Sequence, residues 1–142
     1  MNSKSPSILV LIATIIVAFI RVINSDEDII LHWDLSGDVT DTGPVYLIVL
    51  LPIIAIVVYF CVMSCAKAPY KTLRVPKVKE SDSNTRLLLQ CINTCNLFIM
   101  LLFFYVTLCS AKYMVLHQLV IATLLLTILL TYIYFYNKLE KK

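Results

Sequence analysis

The sequence predicts an all-α integral membrane protein, built as an antiparallel four-helix bundle. The first observation is composition, because 60% of the 142 residues are hydrophobic and only 15% are charged, whereas about a quarter of a soluble domain is charged. The second is the presence of four long apolar runs, close to the roughly 20 residues that a membrane-spanning helix needs. The third is an uneven distribution of charge between the hydrophilic segments. The predicted spans are residues 7–23, 45–66, 87–109 and 116–136.

The first span is short and carries Arg21 near its end, where a long side chain can reach the membrane interface. A cleaved signal peptide is the alternative interpretation, because a charged start and an apolar run of this length are also typical of one. Val22, Ile23 and Asn24 do not provide the small residues of a cleavage site. Retention of the segment as a span is therefore favoured.

The second and third spans contain residues that are unusual in apolar helices. Pro52 lacks a backbone donor and is expected to kink the second span. The third span starts with polar side chains, which either bond neighbouring helices, at roughly 1 kcal/mol for each bond, or line a polar path. Bonding between helices is favoured, because no acidic residue lies in any span. The polar residues are Gln90, Asn93, Thr94 and Asn96.

The charge of the loops predicts the orientation. Residues 67–86 hold six basic and two acidic residues, and the C-terminus adds three lysines. Because Lys and Arg are enriched in cytoplasmic loops, this basic loop and the C-terminus are predicted to be cytoplasmic. Four spans then place the N-terminus on the same side and residues 24–44 outside. We expect one four-span domain over residues 1–142.

The outer segment, residues 24–44, holds six of the nine acidic residues, both glycines and the only tryptophan. Ser36-Gly37-Asp38 predicts a turn, because Gly37 adopts positive φ at low cost. Gly43, before Pro44, predicts a second turn. A short extended piece or hairpin is therefore expected over the end of the bundle, with Trp33 at the membrane interface.

The outer segment also contains the candidate binding residues. The simplest interpretation is a solvated acidic loop that only enforces topology. A cation or proton site is less well supported, because one His-x-Asp lacks the ligand set of a metal site, and no metal or cofactor is expected. Binding of a cationic peptide needs only the field of the carboxylates and is better supported. The residues concerned are His32, Asp34, Asp38 and Asp41.

Other chemistry has weaker support. Cys61 and Cys65 in the second span and Cys91 and Cys95 in the third are each four residues apart, which permits a tetrathiolate zinc site. Small apolar filling of the spans is the favoured role of these cysteines. The net charge of +3 is small, so nucleic acid is not an expected partner. An enzyme is not expected either, because no nucleophile elbow, His-Glu-x-x-His or phosphate loop is present.

The outer segment and the second span resemble bacterial membrane proteins that carry the domain of unknown function 1648, a group that includes the SdpI-type immunity proteins. The resemblance covers about residues 7 to 66, whereas the last two spans match only in hydropathy. The matching positions are His32, Trp33, Ser36, Gly37, Asp38, Gly43 and Pro52. The departures are Asp26 and Ile30 in place of prolines, Thr40 in place of an acid and Val45 in place of lysine.

The resemblance implies a protein of the bacterial inner membrane that gives immunity against a secreted toxic peptide or senses it at the outer face. A cytoplasmic regulator or anionic lipid is then the expected partner of the basic loop. The alternative function is a small transporter or channel subunit, or an accessory subunit of a membrane complex. A transporter requires homo-oligomers, because four helices enclose little room.

Overall fold

Four long helices and one small hairpin make up the fold. The computed structural model describes residues 6–73 and 78–139. The helices are α1 (Pro6–Asn24), α2 (Leu50–Cys65), α3 (Pro69–Thr72), α4 (Asp82–Ser110) and α5 (Gln118–Lys138), and the strands are β1 (Ile29–Trp33) and β2 (Val39–Gly43).

Four helices in these residues are long and apolar enough to cross a bilayer. They are α1, α4, α5, and α2 together with the 3₁₀ turn Val45–Val49 that leads into it. The prediction of a multi-pass membrane protein is confirmed at this level, and the chain is mostly helical as expected. The predicted all-α class is modified by the two-stranded sheet of β1 and β2.

The second span changes helix type near its proline. The 3₁₀ turn ends at Val49, and α2 then continues through Pro52. Pro52 is the third residue of α2, which directly continues the 3₁₀ turn, so its missing N–H leaves a carbonyl of that turn without a helical donor. The change from 3₁₀ to α geometry lies where the sequence predicts a kink.

The helices pack through small side chains. At one end Ala18, Ile48 and Ala111 form a buried cluster with Ile29 of the hairpin. We call this the hairpin end, and the opposite end, beside residues 67–86, the basic end. Small residues let helix backbones approach closely, and in lipid this packing replaces the hydrophobic effect between helices.

The middle of the bundle joins three helices. Leu11 of α1, Ala55 of α2 and Met100 of α4 are buried against one another. By contrast, α5 packs chiefly on α4, and none of its residues is buried. The bundle is therefore a three-helix core of α1, α2 and α4, with α5 attached to one side of α4.

At the basic end the described parts of the loop between α2 and α4 pack against α4. Tyr70 donates a hydrogen bond to the carbonyl of Ser81 at 3.1 Å. The Ser81 side chain caps α4 by accepting the Asn84 backbone N–H at 3.2 Å, which provides a partner for a free N–H of the first turn. Val78 of the loop packs on Leu88 of α4.

Replacing Ala55 with Leu is expected to destabilise the bundle by about 1–3 kcal/mol, because a fully buried alanine has no space for three further carbons. The matched control is Ala122→Leu on the exposed surface of α5, which we expect to be neutral. Unfolding in mixed micelles measures both. Equal stability of the two variants would contradict the three-helix core.

Candidate functional site

The acidic outer segment forms a hairpin. Strands β1 and β2 pair antiparallel, with Ile29 opposite Gly43 and Trp33 opposite Val39, and the register is irregular around His32. Outside the membrane core a short sheet of this kind can leave backbone groups to water. The predicted extended piece or hairpin is therefore present, and it follows directly from α1.

The carboxylate of Asp34 organises the turn of the hairpin. Its Oδ1 accepts the backbone N–H of Ser36 at 2.8 Å and that of Asp38 at 2.9 Å. Gly37 follows at φ +88°, and a Cβ there would lie 3.3 Å from the carbonyl oxygen of Leu116. Glycine is thus favoured twice at this position, by its positive φ and by the close backbone of the connection between α4 and α5.

Two contacts seat the hairpin on the helices, and a third lies within the hairpin itself. Ser110, the last residue of α4, donates its hydroxyl to the carbonyl of Ile30. Ile29 is 1% exposed within the cluster at the hairpin end. Gly43 leaves space for Leu31, since a Cβ on Gly43 would come within 2.5 Å of its Cδ1. Strand β1 is therefore held against the bundle.

The connection between α4 and α5 forms the other wall of the site. Lys112 takes the left-handed conformation at φ 62°, and the Tyr113 N–H donates to the Leu108 carbonyl at 3.0 Å, as in a Schellman ending. Tyr105 accepts the His117 backbone N–H at 2.7 Å. Its own hydroxyl donates to the Val115 carbonyl at 3.4 Å.

Arg21 is almost fully buried at the end of α1. Its Nη2 donates to the backbone carbonyl of Glu27 at 3.4 Å and lies 3.5 Å from the Glu27 carboxylate. Its Nε has no hydrogen-bond partner in the described parts of the chain. Arg21 therefore ties the start of the outer segment to α1, where the sequence only placed it near the membrane interface.

The remaining carboxylates of the segment are exposed. Within residues 6–73 and 78–139, their side chains make no hydrogen bond or ion pair. They are Asp26, Asp28, Asp38 and Asp41. Carboxylates without an ion pair in this part of the chain leave their charge available to a ligand.

His32 lies on β1 opposite Asp41 of β2. Its Nδ1 lies 2.6 Å from the hydroxyl of Thr40 across the two strands. It forms no ion pair with Asp34, Asp38 or Asp41 in the described structure. No group of three or more His, Cys, Asp or Glu within the described residues is placed to hold a metal ion.

Trp33 lies where three open grooves meet. One of about 320 Å³ runs over β1 towards α2 and is also lined by Leu47. A second of about 260 Å³ lies between the hairpin and the connection beside Lys112. The third, of about 400 Å³, separates the hairpin from the start of α5 and is also lined by Leu35, which is 96% exposed. The three grooves are thus lined mostly by apolar side chains, and Asp34 is the one carboxylate among the described residues that lines any of the three.

The polar residues of α4 separate into two kinds. Asn96 is fully buried and donates to the hydroxyl of Ser7 at 3.4 Å, which joins α4 to the first turn of α1. Gln90 and Asn93 are exposed, and Thr94 is half-buried. Only the side chain of Asn96 has an interhelical bond among these four within the described residues, and its Oδ1 has no partner there.

Four of the five cysteines and the exposed basic residues of the basic end lie away from the hairpin. Cys61 is exposed, Cys91 is buried, and Cys65 and Cys95 are half-buried; all are free thiols. Arg74, Lys77, Lys141 and Lys142 lie outside the described residues. The exposed basic residues at the basic end are Lys67, Lys71, Lys79, Arg86 and Lys138.

Comparisons of the chain with protein-family models, curated proteins and solved structures found no match. The resemblance to proteins with the domain of unknown function 1648 therefore stays a prediction. The contacts that seat the hairpin were missed by sequence reasoning, because nothing distinguishes Ser110 or Tyr105 from other polar residues at helix ends.

Replacing Asp34 with Ala is expected to loosen the turn by about 1–3 kcal/mol, since two backbone N–H groups lose a charged acceptor. Asp38→Ala removes the same charge but no side-chain hydrogen bond, and should leave the turn ordered. Hydrogen exchange of the Ser36 amide, which donates to the Asp34 carboxylate, measures the difference in lipid nanodiscs. Equal exchange in both variants would contradict the role assigned to Asp34.

Proposed function

We propose that the chain is a non-enzymatic protein of the bacterial inner membrane that binds a cationic peptide at the hairpin end and so gives immunity to that peptide or senses it. The observation that carries the proposal is the group of exposed carboxylates, Asp26, Asp28, Asp38 and Asp41, none of which has a partner in the described parts of the chain. The resemblance described above supplies the biological role.

Some acidic residues of the hairpin make structural bonds and others do not, which supports ligand binding over a loop that serves only membrane topology. Asp34 is used by the turn and Glu27 by Arg21. The turn fixes Asp38 in space, and the strand fixes Asp41. Carboxylates on an ordered backbone attract a cationic ligand, and little backbone entropy is lost when it binds.

The apolar grooves around Trp33 favour a peptide over a small cation. A toxic peptide that acts on membranes carries apolar as well as basic side chains. Trp33 and Leu35 offer apolar surface within the same hairpin that carries Asp38. Tryptophan is also well suited to the boundary between lipid and water, where such a peptide arrives.

The contacts support an antiparallel order of successive spans. Helices α1 and α4 meet at Ser7 with Asn96 and at Ala18 with Ala111, as expected of two helices that run in the same direction. Ile48, near the start of the second span, lies with the end of α1 in the same cluster. The basic end is then cytoplasmic by the distribution of Lys and Arg, and both termini lie there.

The exposed basic residues also favour a partner at the cytoplasmic face. Each Lys or Arg near an anionic leaflet contributes about 1 kcal/mol of attraction. Lys138 lies over the ring of Tyr134 at 4.5 Å, so one cation is held beside an aromatic side chain suited to the interface. Anionic lipid is the simplest partner, and a cytoplasmic regulator is the alternative.

A transporter or channel subunit is less well supported. Asn96 is used between α1 and α4, and Gln90 and Asn93 lie on the outside of the helices that are described. A path along these residues therefore requires several copies of the chain. Ion flux in proteoliposomes that is lost on Asn93→Leu would favour this alternative.

The orientation is testable with single cysteines. Ser36→Cys should react with a membrane-impermeant maleimide in intact spheroplasts, whereas Ser83→Cys should react only after permeabilisation. Both serines are exposed, so access depends on the side of the membrane. The wild-type chain with its own cysteines gives the background. The reverse pattern would place the hairpin in the cytoplasm and reject the proposal.

Expression of the chain in a sensitive bacterium should raise the inhibitory concentration of at least one cationic antimicrobial peptide severalfold. The double variant Asp38→Asn, Asp41→Asn should lose this protection, because it removes two fixed charges of the site. The control is Glu80→Gln, Asp82→Asn, which changes the net charge equally at the basic end. Membrane levels of all forms are compared by immunoblot. Equal killing with and without the chain over a broad peptide panel would reject peptide immunity.

A further inference from the structure

Strand β2 is the free edge of the hairpin. The sheet has only two strands within the described residues, and β1 lies between β2 and the helices. Contacts with α4 and with the 3₁₀ turn come from β1, whose Ile30 carbonyl is bonded by Ser110. Four of the five residues of β2 are exposed. Its outer backbone groups therefore face water.

A free edge can bind another strand, because its unpaired N–H and C=O groups form a template for main-chain hydrogen bonds. Natural edges are protected by charge, shortness and bulges. Here the strand is short, the register is irregular around His32, and Asp41 lies within the strand. These features disfavour pairing with most strands, but a basic strand would neutralise the charge that protects the edge.

The residues of β2 that flank Thr40 differ in chemistry. The register places Asp41 opposite His32 and Val39 opposite Trp33, which are adjacent in β1, so Thr40 is an extra residue between the two pairs. The hydroxyl of Thr40 bonds His32 across the strands. A strand added on the free edge is expected to follow the same register and to place adjacent residues beside Val39 and Asp41. The chemistry of these two positions calls for an apolar residue next to a basic one.

We propose that the edge of β2 binds an extended basic segment of a peptide as a third strand, with an apolar side chain beside Val39 and a lysine or arginine beside Asp41. The proposal rests on the proposed function and specifies how the peptide is held. Main-chain hydrogen bonds supply part of the affinity, and the alternating side chains supply the selectivity. Asp38, fixed by the turn at the end of the strand, attracts a further basic residue.

A second copy of the chain is a poorer occupant of the same edge. Pairing of two β2 strands brings like charges together, because each strand carries Asp41 and begins directly after Asp38. Like charges opposite each other destabilise a strand pair. The edge therefore favours a partner of opposite charge over self-association.

The test uses the full chain in nanodiscs of zwitterionic lipid and the eight-residue peptide (Val-Lys)4 as the probe. The emission of Trp33, the only tryptophan, reports binding. Two analogues carry N-methyl groups on alternate residues, one on each edge of the extended peptide. Strand addition uses one edge only, so one analogue should lose about tenfold or more in affinity while the other binds like the parent. The peptide (Val-Glu)4 should not bind.

Two variants distinguish a contact at the edge of β2 from attraction by the overall negative charge of the hairpin. Asp41→Asn should weaken binding of (Val-Lys)4 about fivefold, whereas Asp26→Asn, with the same charge change before β1, should weaken it less than about twofold. Equal binding of both N-methylated analogues, with equal effects of the two variants, would overturn strand addition and leave peptide binding intact. No binding of any basic probe would reject both. A dimer that Asp41→Asn makes tighter would assign the edge to a second copy and overturn the proposal.

Discussion

The structure depends on the rule that a backbone polar group in lipid must find its partner within the protein. Helices meet this requirement along each apolar run, so the four spans follow from hydropathy. A strand with an open edge cannot meet it in the hydrocarbon. The hairpin therefore lies at the end of the helices, where water can hydrogen-bond to the free edge of β2. Strand β1 is the strand that packs against the helices. The Ser110 hydroxyl illustrates the rule, since it supplies a partner to the Ile30 carbonyl where β1 meets α4.

Much of the fold could be predicted because hydropathy and turn chemistry are local properties. The apolar runs predict the long helices, and Ser36-Gly37-Asp38 predicts the turn that Gly37 makes at φ +88°. The packing could not be predicted, because four apolar runs of similar length do not indicate which helix lies at the periphery. The position of α5 beside α4 depends on side-chain shape across the whole bundle. The same holds for Asn96 and Asn93, which differ by three positions and have opposite environments.

The candidate site was only partly visible in the sequence. Six acidic residues in one segment indicate a negative field, but they all look alike in the chain. The structure distinguishes Asp34, which orders the turn, and Glu27, which bonds Arg21, from the carboxylates that face water. His32 lies opposite Asp41 in the hairpin, and its Nδ1 is bonded to Thr40 rather than to a carboxylate. Such assignments depend on side-chain direction, which a sequence pattern does not record.

The position of α5 has a consequence for biogenesis. The three helices of the core, α1, α2 and α4, precede α5 in the chain, and none of the residues of α5 is buried. The core helices can therefore associate in the bilayer while α5 is still in the exit tunnel of the ribosome. Insertion of α5 then adds one helix contact along α4 to a unit that has already assembled, and it completes the wall that the connection between α4 and α5 forms beside the hairpin.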